Sequence, residues 1–158
     1  MSITFTSEEI SLGCKSSSFP VIVSAAPRAP CAPIAIRNIT RAPEETIVRM
    51  LDELDDKWRR NGTRTAHAVM VMKSLGFRTE RIQLGRMSSK RMDRVSFSEV
   101  EFALRYQTGT YYVCTVNHAY VIHNQFVIDC VGKRNTRRIT DAYRIERNDE
   151  CLLTETAG

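Results

Sequence analysis

A chain of 158 residues that is 42% hydrophobic and 26% charged suits one globular domain with its own core, and this composition excludes a disordered or fibrous chain. The net charge of +5 admits an anionic partner without requiring one. Five cysteines, an odd count with no C-x-x-C spacing, exclude a complete disulfide framework and argue against zinc.

Residues 1–29 carry little helical signal and read as an N-terminal extension. They lack a secretory pattern, and no stretch of the chain approaches the roughly 18 apolar residues of a membrane span. The expected compartment is therefore reducing and cytoplasmic, with the sequon Asn38-Ile39-Thr40 unglycosylated. Val21-Ile22-Val23 is a predicted short strand. Ala26-Pro27-Arg28-Ala29-Pro30 is a stiff, extended approach to Cys31.

At Cys31 the pattern turns helical. Pro33 sits where a first turn tolerates proline, and Ile34, Ala35, Ile36 and Ile39 form an apolar segment. A second helix is predicted from Pro43, with Glu44 and Glu45 at its positive end. Ile47, Met50, Leu51, Leu54 and Trp58 lie on its core face, and Asn61-Gly62 stops it. Thr65 to Leu75 reads as a third helix with Gly76 as its cap. Ser96-x-x-Glu99 reads as the capping box of a fourth helix ending at Leu104.

After Gly109 the signal is β. Strands are predicted over Thr110 to Val116, His118 to Ile122, Gln125 to Cys130 and Ile139 to Ile145, with a tight turn at His123-Asn124. Helices followed by a mostly antiparallel sheet make an α+β domain over residues 30–147, followed by a tail over 148–158.

Thiol catalysis needs a thiolate, a base within hydrogen-bonding reach, and a group that orients the base. Cys31 opens a predicted helix, where the dipole and free N–H groups favour an anion and can form part of an oxyanion hole. His118 lies among small and apolar neighbours on a predicted strand and can act as general base. Asp129 ends the next strand across the hairpin, where it can fix the imidazole tautomer. No metal or organic cofactor is implied. Cys114, Cys130 and Cys151 read as small buried hydrophobes. Cys14, in a Gly/Ser-rich loop, is the rival nucleophile, and His67 and His123 read as surface residues.

Two basic runs stand outside this constellation. Arg78, Arg81, Arg86, Lys90, Arg91 and Arg94 form one, near Met87, Met92 and Phe97. Lys133, Arg134, Arg137 and Arg138 form the other. Each reads first as a solvated face. The sharper reading makes Lys133, Arg134, Arg137 and Arg138 a contact for an anionic partner. Without interleaved aromatics, any nucleic-acid contact would be to phosphates.

Cys31-Ala32-Pro33-Ile34-Ala35-Ile36, Asn61-Gly62-Thr63, Leu75-Gly76-Phe77, Gly109-Thr110-Tyr111, His118-Ala119 and Asp129 occur in an order and spacing that resembles small papain-like proteins of tailed phages and bacteria. The resemblance covers roughly residues 30–132. It implies a papain-like fold, with N-terminal helices packed on the sheet, and a peptidase, deamidase or related acyl-transfer enzyme acting on an amide bond of a peptide or protein. Cys31, His118 and Asp129 take the triad positions, and the location would be a host cytoplasm or a virion. Relatives often carry an Asn-Asp pair just before the cysteine, where this chain has Ala29-Pro30 and no Gln or Asn upstream, so the side-chain half of the oxyanion hole has no candidate. That departure, the basic runs and the N-terminal extension frame the alternative: a catalytically silent papain-like module that contacts an anionic or structural protein partner, such as a phage virion component.

Overall fold

The computed structural model describes residues 30–84, 97–129 and 138–148, together with the backbone of 13–14 and 21–23. Two short strands, β1 (Gly13–Cys14) and β2 (Val21–Val23), precede four helices: α1 (Cys31–Thr40), α2 (Glu44–Leu54), α3 (Trp58–Asn61) and α4 (Thr65–Ser74). Strand β3 (Phe77–Arg81) and helix α5 (Glu99–Arg105) follow. The chain then runs through β4 (Thr110–Thr115), β5 (His118–His123), β6 (Phe126–Asp129) and β7 (Asp141–Arg147). The fold class is α+β, as the sequence predicts. No helix among the described residues is long and apolar enough to cross a membrane.

One sheet joins the seven strands of the described residues in the order β1-β2-β6-β5-β4-β7-β3. Every pairing is antiparallel except that of β2 with β6, which is parallel. The stretch ahead of residue 30 therefore adds two strands to the sheet.

The centre of the sheet is covered on both faces, so β4 is buried at every position. Alternation sends Tyr112, Cys114, Ala119 and Val121 toward the first four helices, and Tyr111, Val113, Tyr120 and Ile122 toward Phe102 of α5. Helix α1 lies along β5 and also packs on α2 and α4. Its Ile34, Ile36 and Ile39 are almost fully buried, which stabilises the fold by about 1.5–3 kcal/mol each. That packing fixes the direction in which the start of α1 points.

Three predicted elements shift and one strand is added. The second predicted helix is two. Asp55 Oδ1 accepts from the Lys57 N–H at 2.9 Å, and this side-chain turn interrupts the helix before it resumes as α3. Trp58 still reaches the core, and its indole N–H donates to Asp52 at 2.8 Å. The capping box sits at Ser98 and Glu101, with bonds of 3.2 and 2.7 Å, and Ser96 lies outside the described residues. The last strand runs Asp141–Arg147, while Ile139 makes only an isolated bridge to Phe97. Strand β3 was not predicted: only its Phe77 is buried, as suits a polar edge strand.

Both hairpins beside the site use two-residue turns. Asn124 and Gln125 join β5 to β6, and Asn117 follows Val116 between β4 and β5, all three in the left-handed region at φ 46, 72 and 63° respectively. These turns set the register that positions the functional side chains.

Candidate active site

Cys31 is the first residue of α1. Pro30 before it is extended, at φ −62° and ψ 132°, and supplies no side-chain cap. The first backbone N–H groups of a helix have no carbonyl of their own to bond. Here Pro33 removes one such donor, and the Ala32 N–H donates to the Cys31 sulfur. A second backbone donor reaches the sulfur from the sheet, the N–H of Ala119 in β5. Alanine at both positions keeps the approach of helix to strand close.

His118 opens β5 at the rim of the sheet and stacks on Tyr120, with ring centroids 5.6 Å apart and planes at 26°. In the β5–β6 register Val121 faces Ile128. His118 and Asp129 are therefore diagonal neighbours, within reach of longer side chains. The His118 Nε2–H donates to both Asp129 oxygens, at 2.8 and 2.9 Å. Asp129 is only 2% exposed, so this contact is sheltered from water. With Nε2 engaged, Nδ1 is the ring nitrogen left for Cys31, whose sulfur hydrogen-bonds the imidazole.

The electrostatics follow from these contacts. Burial alone would push the Cys31 thiol up. The His118 hydrogen bond, the Ala119 N–H, the imidazole charge and the Ala32 N–H outweigh it and hold the thiol below its ordinary value of 9.0. The Asp129 bond, and then the Cys31 bond, raise His118 from 6.5 to about 9. Both shifts favour a thiolate–imidazolium pair.

Cys31 and His118 open onto a cleft of about 760 Å³. Its wall includes the segment from Trp58 to Thr65 and residues Thr140 and Asp141. Cys114 also lines it, but burial pushes that thiol to about 11, and it contacts the Thr65 hydroxyl at 3.6 Å. Among the described residues, no group of three or more His, Cys, Asp or Glu side chains could hold a metal ion.

The structure thus brings together Cys31, His118 and Asp129. His123 is half-buried rather than a surface residue: its Nδ1 bonds the Thr110 hydroxyl at 2.7 Å, and burial lowers its pKa. His67 is half-buried too, on α4. Of the first basic run, Arg78 and Arg81 lie on edge strand β3, where Arg81 pairs with Asp141 at 2.9 Å. Of the second, Arg138 is exposed. Lys133, Arg134, Arg137, Arg86, Lys90, Arg91, Arg94, Met87, Met92, Cys130, Cys151 and the side chain of Cys14 lie outside the described residues. The sequence reading missed the Ala119 N–H, which no side-chain pattern could reveal beyond the small residue after His118. It also missed the cleft wall at Arg59, Arg60 and Arg64.

No protein family, curated protein or solved structure matches the chain in sequence or fold, so a functional reading rests on this geometry.

Proposed function

We propose that the protein is a cysteine-nucleophile hydrolase of amide bonds, built on a papain-like arrangement of helix start and sheet. One observation carries the reading: a single imidazole, engaged by a buried carboxylate on one nitrogen, hydrogen-bonds on its other side to a cysteine at a helix start, inside a cleft.

The Cys31 thiolate attacks the substrate carbonyl carbon. As the S–C bond forms, the carbonyl π pair moves to oxygen, where the Cys31 N–H at the helix start can donate to the oxyanion. His118 gives its Nδ1 proton to the leaving amine, the C–N bond breaks, and a thioester remains. Neutral His118 then takes a proton from water. The hydroxide equivalent attacks the thioester, the C–S bond breaks, and acid product leaves with thiolate and imidazolium restored. Asp129 stays ionised throughout, holding the Nε2–H and steadying the imidazolium.

The test is iodoacetamide labelling with peptide mapping near neutral pH, on wild type and His118→Ala. Cys31 is expected to react far faster than Cys114, and to lose that advantage in the variant. Equal labelling of both thiols, or a rate indifferent to His118, would refute the pairing.

A further inference from the structure

One stretch of the cleft wall carries three arginines, two of which have no partner among the described residues. Arg59, Arg60 and Arg64 all line the cleft that holds Cys31 and His118. Arg59 is engaged: both its terminal nitrogens bond Asp52, and its guanidinium lies 4.8 Å from the Trp58 ring centroid. The Arg59 bond, and then the Trp58 bond, hold the Asp52 carboxyl below its usual range. Asp141 is the lone carboxylate among the described lining residues, and Arg81 already pairs with it at 2.9 Å.

Arg60 and Arg64 are different. Both are exposed, and neither side chain has an ion pair or hydrogen bond among the described residues. They flank Gly62, whose φ of +83° turns the chain between them, with no atom within 4 Å of where a Cβ would sit. The turn is a backbone feature that places two arginine residues on the cleft wall. Guanidinium forks match carboxylates bidentately. Trp58 is buried and covered by Arg59, and Tyr112, which also lines the cleft, is buried, so neither ring offers an exposed platform for a base.

We infer that the cleft selects acidic peptides, with Arg60 and Arg64 reading an aspartate or glutamate beside the bond that Cys31 attacks. The bond attacked rests on the hydrolase reading; the charge preference is a property of the cleft wall alone.

Chloromethyl ketones of the form acetyl-Xaa-Gly, with Xaa as Asp, Ala or Lys, separate the two. The readout is the second-order rate of Cys31 alkylation by peptide mapping. In wild type the Asp probe should outpace the Lys probe by about tenfold, since the two probes differ in sign against two surface charges. Raised salt should compress that ratio. In Arg60→Gln/Arg64→Gln it should fall to within about twofold. Equal rates for Asp and Lys probes in wild type, or a ratio that persists in the double variant, overturn the inference while leaving the hydrolase reading intact. Should Cys31 resist every electrophile, the hydrolase reading fails and the charge preference is read without the thiol. Fluorescein-labelled Gly-Asp-Asp-Gly and Gly-Lys-Lys-Gly are then compared by anisotropy on Cys31→Ala protein. Tighter binding of the acidic peptide, lost in the arginine variant, supports the inference. Indifference to peptide charge overturns it.

Discussion

Replacing Asp129 by Asn keeps an acceptor of the same size opposite His118 Nε2 but removes the charge. The wild-type imidazole is raised from 6.5 to about 9, with the Asp129 hydrogen bond as the first cause and the Cys31 bond as the second. That rise corresponds to about 3 kcal/mol favouring the charged ring. His118 is only 24% exposed and Asp129 2%, so solvent screens the interaction little. A carboxylate this close accounts for ~1–3 pH units, and Asp129→Asn should lower the His118 midpoint by that amount. The assay is an NMR titration of the His118 ring protons alongside the pH profile of Cys31 alkylation. In wild type the imidazolium should persist until the pH nears 9. In the variant it should be lost earlier, and the alkaline limb of the ion-pair rate should move with it. Linkage gives a second readout. A pKa raised on folding contributes stability that is fully present below 6.5 and lost as pH rises through about 9. Wild type should therefore lose more stability than Asp129→Asn across that window. An unchanged midpoint in the variant, or a wild-type midpoint near the ordinary histidine value, would refute the electrostatic account.

Cys31→Ala should abolish hydrolysis while shifting stability by under about 1 kcal/mol, since the thiol is small and only partly buried; full function retained in the native setting would point instead to the silent module. Trp58→Ala should cost about 3–5 kcal/mol in urea unfolding, whereas Trp58→Phe should cost only about 1 kcal/mol, from the lost bond to Asp52. Gly62→Ala meets no steric obstacle, but a φ of 83° with a ψ of 156° is a backbone conformation essentially confined to glycine, so it should destabilise by ~1–3 kcal/mol in thermal melts. Ser98→Ala should cost about 1 kcal/mol by the same measurement, because it removes half of a capping box.

The site was legible in the sequence where the signal was local. A cysteine after an extended Ala-Pro, a histidine at a strand start, and an aspartate one short hairpin later are each visible in the chain, and a two-residue turn fixes the diagonal between the last two. What escaped notice depended on the fold as a whole. Phe77-Arg78-Thr79-Glu80-Arg81 buries one side chain and pairs on one edge with β7, so it shows no alternation strong enough to mark a strand. Asp55 interrupts a helix whose apolar spacing continues through the break to Trp58. Ser96-x-x-Glu99 and Ser98-x-x-Glu101 overlap in sequence, and the pattern alone does not distinguish them; the box forms at Ser98, on the helix whose Phe102 meets Tyr111 edge-on. Arg60 and Arg64 read as the flanks of a helix stop, since the cleft they line is assembled from elements far apart in sequence.

The parallel pairing of Val23 with Asp129 has a consequence for how the protein is made. The strand that ends in the buried aspartate meets, on its outer edge, a segment synthesised more than a hundred residues earlier. On the ribosome that early segment, whatever it pairs with locally in β1, must wait for its β6 partner until most of the chain has emerged, so the carboxylate's surroundings close late and by a long-range step that carries a loop-closure cost. Moving the first strands to the other terminus by circular permutation would shorten that loop and should hasten folding, with the final register of the sheet unaltered.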